Sequence, residues 1–123
     1  MTDDDVYIVS LLAEYPSMLL LEGGERFDVV TAYWSGFASG KYPDAEVKAI
    51  GQYLLDECLR RIGRECSLTT GGMILLLCDQ NRERALELFR DLLEDAVSEV
   101  KGVSLAKVFC SKHPARTPRR RLS

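Results

Sequence analysis

His113 is the only histidine in the chain, and it precedes Pro114 near the C-terminus, so no Ser-His, Cys-His or His-metal constellation can be assembled. That removes most hydrolase chemistry. Cys58, Cys66, Cys78 and Cys110 lie in periodic apolar stretches without a Cys-x-x-Cys pair, which reads as buried thiols in a reducing compartment rather than a disulfide framework or a zinc site. Gly36-Phe-Ala-Ser-Gly40-Lys41-Tyr42 resembles a phosphate-binding loop. Its spacing is one residue short, however, and Tyr42 stands where a magnesium-binding hydroxyl residue belongs. Asp79 could hold a metal only at the end of a strand; two residues before Asn81 it reads as a helix cap. Glu87, Asp91, Glu94, Asp95 and Glu99 would bind a cation only if they converged, and on an exposed helix face they are solvated. The expectation is no enzyme, no metal and no cofactor.

Charge is unevenly distributed. Sixteen basic residues stand against 19 acidic ones, and setting aside Arg116, Arg119, Arg120 and Arg121 leaves 12 against 19, so residues 1–114 carry −7 and the tail +4. An acidic body repels nucleic acid. The tail Ala-Arg-Thr-Pro-Arg-Arg-Arg-Leu-Ser can bind an acidic partner or be phosphorylated at Thr117-Pro118 or Arg-Arg-Leu-Ser, and its plainest reading is a disordered, solubilising end. The expected organisation is a domain over 1–112 and a basic tail over 113–123. No apolar run approaches the roughly 18 residues of a membrane span, and Asp3, Asp4 and Asp5 replace a positively charged leader. A soluble, unexported protein without a membrane anchor is expected.

Several helices must position whatever site exists. Thr2 can cap a first helix with an acidic opening turn, which Pro16 kinks or ends, and Gly23-Gly24 stop the apolar turn after it. Phe27, Val29, Val30, Tyr33, Trp34 and Phe37 do not resolve into helix or strand. After Pro43-Asp44 the pattern clears: Val47, Ile50, Gly51, Leu54, Leu55, Cys58, Leu59 and Ile62 share one helical face, supported by Asp56–Arg60 and Glu57–Arg61 pairs four residues apart. From Asn81 to Lys101 a second amphipathic pattern places Ala85, Leu86, Phe89, Leu92, Leu93, Ala96, Val97 and Val100 inside, with Arg90 and Asp91 mostly outside, and Gly102 ends it. Val103 to Phe109 is a last short element. Ser67 to Cys78 is ambiguous, since two threonines and two glycines disfavour a helix and Met73 to Cys78 reads locally as a buried strand.

Leu55-Asp-Glu-Cys-Leu59-Arg-Arg-Ile62-Gly63-Arg64-Glu65 resembles the Bcl-2 family of apoptosis regulators in two ways. As the family's ligand (BH-3) helix, Leu55, Leu59, Ile62 and Cys66 would be its apolar anchors and Gly63 its small residue, but Arg64 stands where an acidic residue is expected. As the first homology region, Gly63-Arg64 would match Trp-Gly-Arg, with Ile62 in place of the tryptophan, and Gly71-Gly72 the glycines that follow. Tyr33-Trp-Ser-Gly-Phe37 is similar to the Tyr-x-x-x-Phe of the groove floor, and Leu12-Ala-Glu-Tyr15 to the first-helix pattern. The second reading uses the whole chain, whereas the first leaves too few residues for the rest of the fold.

The resemblance implies an all-α, Bcl-2-like bundle of about six or seven helices around a buried central hydrophobic helix formed by Ser67–Cys78. It implies an inhibitor of apoptosis that sequesters the BH-3 helix of pro-apoptotic proteins in a groove lined by Val29, Tyr33, Phe37, Val47, Ile50, Leu54, Leu55 and Gly63, with Arg64 pairing a ligand aspartate. The missing tail anchor is similar to virus-encoded members, which places the protein in the host cytoplasm, reaching mitochondria through its partners. The alternatives are a pro-apoptotic member presenting residues 55–66, a small α/β nucleotide-binding domain, and a homodimeric adaptor.

Overall fold

Thr2 opens the first helix with a reciprocal cap: its hydroxyl accepts the Asp5 N–H at 3.1 Å, and the Asp5 carboxylate accepts the Thr2 N–H at 3.1 Å. In the computed structural model, which describes residues 1–40 and 44–119, this helix is α1 (Asp3–Glu14). There follow α2 (Ser17–Leu20) with a 3-10 turn (Leu21–Glu25), then α3 (Phe27–Gly40), α4 (Ala45–Ile62), α5 (Thr70–Leu77), α6 (Arg82–Lys101) and α7 (Leu105–Lys112). No strand occurs among the described residues, so the segment that left helix and strand open resolves as α3. No single helix among them is long and apolar enough to cross a membrane.

The 3-10 turn doubles back against the start of α2 so tightly that a Cβ on Gly24 would lie 2.4 Å from the Ser17 backbone nitrogen and 2.6 Å from the Pro16 carbonyl carbon. Backbone cannot move aside as a side-chain end can. Gly24→Ala should therefore cost about 2 kcal/mol, the scale of an overpacked site, read from the urea midpoint at constant slope.

The strand reading of Met73–Cys78 is overturned. Thr69 accepts the Gly72 N–H on its hydroxyl at 3.1 Å and starts α5 despite the poor helix propensity of Thr-Gly-Gly, because Met73 and Ile74 gain complete burial against α4 and α6. Yet α5 has only eight residues, and Leu76 on its outer side is 41% exposed. The central position expected for Ser67–Cys78 goes instead to α6, which packs against α1, α3, α4, α5 and α7. Its Ala85, Leu86, Phe89, Leu92, Leu93, Ala96 and Val97 are all buried, as their spacing predicts.

Capping differs from expectation at one helix start. Asn81, not Asp79, caps α6 by accepting the Arg84 N–H at 3.1 Å. Asp79 and Gln80 form the turn before it, both at positive φ, with the Asn81 N–H bonded to the Cys78 carbonyl at 2.9 Å. On α4, Arg60 turns to Glu57 instead of Asp56, and Asp56 accepts from Gln52 at 2.8 Å; Glu57 holds Arg61 as well, at 3.1 Å.

Candidate functional site

The groove residues chosen from sequence do not come together. Val47 and Ile50, at 2% and 0% exposure, belong to the core, because the stripe Val47, Ile50, Leu54, Cys58 is the face that α4 turns to α6. They line no open groove. Val29, Tyr33 and Phe37 are half-buried on one flank of α3; Val29 leans on the 3-10 turn, its Cγ1 2.8 Å from where a Cβ of Gly23 would be, and Phe37 stacks on Trp34 with ring centroids 5.9 Å apart. Leu55 is half-buried against the core. Gly63, at φ 80, ends α4 in the left-handed conformation that glycine adopts without strain. Arg64 is exposed in the loop that follows, six residues before α5 begins, rather than on α5 itself.

A cleft does exist on the other flank of α3. It has a volume of about 420 Å³ and lies between α3, α4 and the first turn of α5, lined by Thr31, Trp34, Ser35, Gly51, Leu54 and Gly71 among others. Of the nine proposed groove residues, Leu54 alone reaches it. A Cβ on Gly51 would meet nothing within 4 Å, so the missing side chain is part of what keeps the cleft open. Residues 41–43 lie outside the described residues, and with them Lys41 and Tyr42 of the loop resembling a phosphate site; Gly36 to Gly40 are helical in α3.

A second, polar site was not foreseen. The C-terminal segment, expected to be disordered from residue 113, instead runs back along α1 and α6 as far as Arg119. Three of its side chains hold it at intervals of three residues. His113 shares a 2.6 Å hydrogen bond with the Tyr7 hydroxyl and stacks on Phe109 at 4.9 Å. Arg116 lies over the Tyr15 ring, 4.6 Å from its centroid. Arg119 enters a socket between the end of α1 and the outer side of α6: its Nε donates to the Ala13 carbonyl at 2.8 Å, and its two terminal nitrogens to Glu87 at 2.6 Å and Asp91 at 2.8 Å. Its backbone N–H donates to Glu14 at 2.9 Å. Arg120, Arg121 and the Arg-Arg-Leu-Ser site lie outside the described residues.

Arg90 forms the other half of this socket. It donates to the Ala13 carbonyl at 2.8 Å, the Glu14 carbonyl at 3.3 Å and the Glu87 carboxylate at 2.9 Å, so it also closes the open carbonyl end of α1. Burial, with Arg119 adding repulsion, pulls its pKa down to about 10, and it stays charged at neutral pH. Burial and a hydrogen bond with Glu94 push Glu14 up to about 7, against the opposing N–H of Arg119. Glu94 in turn accepts from the Ser104 hydroxyl and the Ala106 N–H, both at 3.2 Å, which ties the socket to the start of α7.

No protein-family model, curated protein or solved structure matches this chain. Among the described residues no three of His, Cys, Asp and Glu are grouped to hold a metal ion. The four thiols are unpaired; Cys58 and Cys78 are buried, with Cys58 pushed up to about 11 by that burial, while Cys66 and Cys110 are half-buried. The socket had one legible signal, the opposite charges of tail and body. The acidic partner that the tail calls for is in part the chain's own surface.

Proposed function

We propose that the bundle captures an amphipathic helix of a pro-apoptotic partner in the cleft between α3 and α4 and acts by sequestration, without catalysis. The observation that carries this reading is Gly51. A glycine inside a helix costs about 1 kcal/mol relative to alanine, and this one faces open space above an apolar floor of Trp34 and Leu54. Such a position allows a ligand backbone or bulky anchor to approach closely, as helix-in-groove recognition requires. Arg64 is exposed on the loop linking α4 to α5 and does not line the cleft, whose rim that loop reaches only at Thr69; its pairing with an acidic residue of the ligand is part of the proposal. The groove thus differs from the one the resemblance implies, keeping Leu54 and taking Gly51 and Trp34 in place of Val47 and Ile50. The ligand-helix alternative is less economical, since extracting residues 55–66 would also uncover the fully buried Cys58.

The test is a panel of labelled BH-3 helix peptides titrated with the protein and followed by fluorescence anisotropy. Saturable binding is expected. Gly51→Leu, whose Cβ meets no atom within 4 Å, should weaken binding at least tenfold, and Arg64→Ala, the loss of an exposed charge, should cost less than about 1 kcal/mol and slow association at low salt. Failure of every peptide to bind overturns the reading. Binding of a residue 50–68 peptide to a cell-survival homologue would instead favour the ligand role.

A further inference from the structure

We propose that Thr117 is a phosphorylation site for a proline-directed kinase, and that its modification unlatches the C-terminal arm from the acidic socket. Thr117 is exposed and followed by Pro118, so a kinase can reach the hydroxyl in the sequence context it reads. It also lines the cavity of about 710 Å³ beside the socket, in the company of Glu14, Glu25, Glu83 and Glu87. The two guanidiniums of that cavity, Arg90 and Arg119, are already committed: Arg90 to Glu87 and to the carbonyl end of α1, Arg119 to Glu87 and Asp91. A phosphate at residue 117 therefore enters a field with more carboxylate than free cation.

In the transfer, the Thr117 hydroxyl oxygen bonds to the γ-phosphorus of ATP. The bond from that phosphorus to the β–γ bridging oxygen breaks, its electron pair leaving with ADP, and the hydroxyl proton passes to the kinase's base. The product adds a charge of about −1.5 to −2 at neutral pH, which next to glutamates is disruptive by like-charge repulsion. Arg119 sits two residues away on the same strand of backbone, so the arm cannot keep the guanidinium seated while the phosphate withdraws. Release bares Glu87, Asp91 and the Tyr15 ring together, an acidic and aromatic surface suited to a basic peptide.

The experiment treats the full-length chain with a proline-directed kinase and magnesium ATP, locates the phosphate by mass spectrometry, and follows hydrogen exchange of the Arg119 amide by NMR. In the unmodified protein that amide is held by Glu14. Phosphate on Thr117 with at least tenfold faster exchange is the expected result, and Thr117→Ala should take no label there and exchange like the parent. Absence of label on Thr117 overturns the site. Label with unchanged or slower exchange, as would follow if Arg90 or Arg116 captured the phosphate, overturns the release.

Discussion

Arg90→Ala should cost about 3–5 kcal/mol, the penalty for removing one partner from a buried charge cluster, whereas Arg119→Ala should cost closer to 1 kcal/mol although both guanidiniums touch the Ala13 carbonyl and Glu87. The asymmetry comes from what each deletion leaves behind. Arg90 projects from the middle of α6, and nothing can leave with it: Asp91 stays 5% exposed and Glu14 7% exposed, with one fewer compensating cation, and the Glu14 carbonyl loses its donor. Arg119 belongs to a segment outside any helix, held to the body by side-chain contacts. When its side chain is deleted the arm lifts, water reaches Glu87 and Asp91, and their desolvation is relieved. Urea unfolding of the two variants at pH 7.5 checks this directly. Equal costs would mean that the arm is as integral as a helix, and an Arg90→Ala cost below about 1 kcal/mol would mean that the socket is wet.

The same residues mark where sequence reasoning stops. α4 and α6 were legible because each carries a long amphipathic stripe at helical spacing, and the stop of α6 stands in the sequence as Gly102; Gly63, read as a motif residue, proves to be the cap of α4. α3 was not, since a buried row, Phe27, Val30 and Trp34, and a half-buried row beside it, Val29, Tyr33 and Phe37, interleave along a short stretch and blur its period. α5 is helical against its local preference, a case of tertiary burial of Met73 and Ile74 overriding Thr-Gly-Gly. At the groove the limit was different. Periodicity identifies an apolar face but not whether another helix covers it, so Val47 and Ile50 read equally as lining or as core until α6 is seen against them. Charge alone puts Arg90 and Asp91 outside. Only the approach of the α1 carbonyl end and of an arm nearly 30 residues further on shows why two charges are buried on that side of α6.

Between pH 4.5 and about 7 the protein should lose stability as pH rises, opposite to the behaviour of a chain held together by salt-bridged carboxylates. The group responsible is Glu14, whose pKa rises from an ordinary 4.5 to about 7 through burial first and its hydrogen bond with Glu94 second. In that window the unfolded chain has released the proton while the folded chain still holds it. Folding therefore binds a proton, and each step up in pH penalises the folded state until Glu14 ionises. The full loss is on the order of 3 kcal/mol, complete above about pH 7 and absent below about pH 4.5. The charged groups facing Glu14 set the shape of this curve: Glu94 favours the proton, while Arg119 and its N–H oppose it. Asp44, Glu46 and Glu57, whose pKa values are lowered by their cationic partners, act in the other direction but only below their ordinary values, outside the window. Urea midpoints measured at half-unit steps from pH 4.5 to 8 give the slope, and Glu14→Gln isolates it: the amide keeps a donor for Glu94 and an acceptor for the Arg119 N–H but has no proton to lose. That variant should be flatter across the window and more stable than the parent at pH 8, and a parent curve that rises from pH 5 to 7 would rule out a protonated Glu14 in the socket.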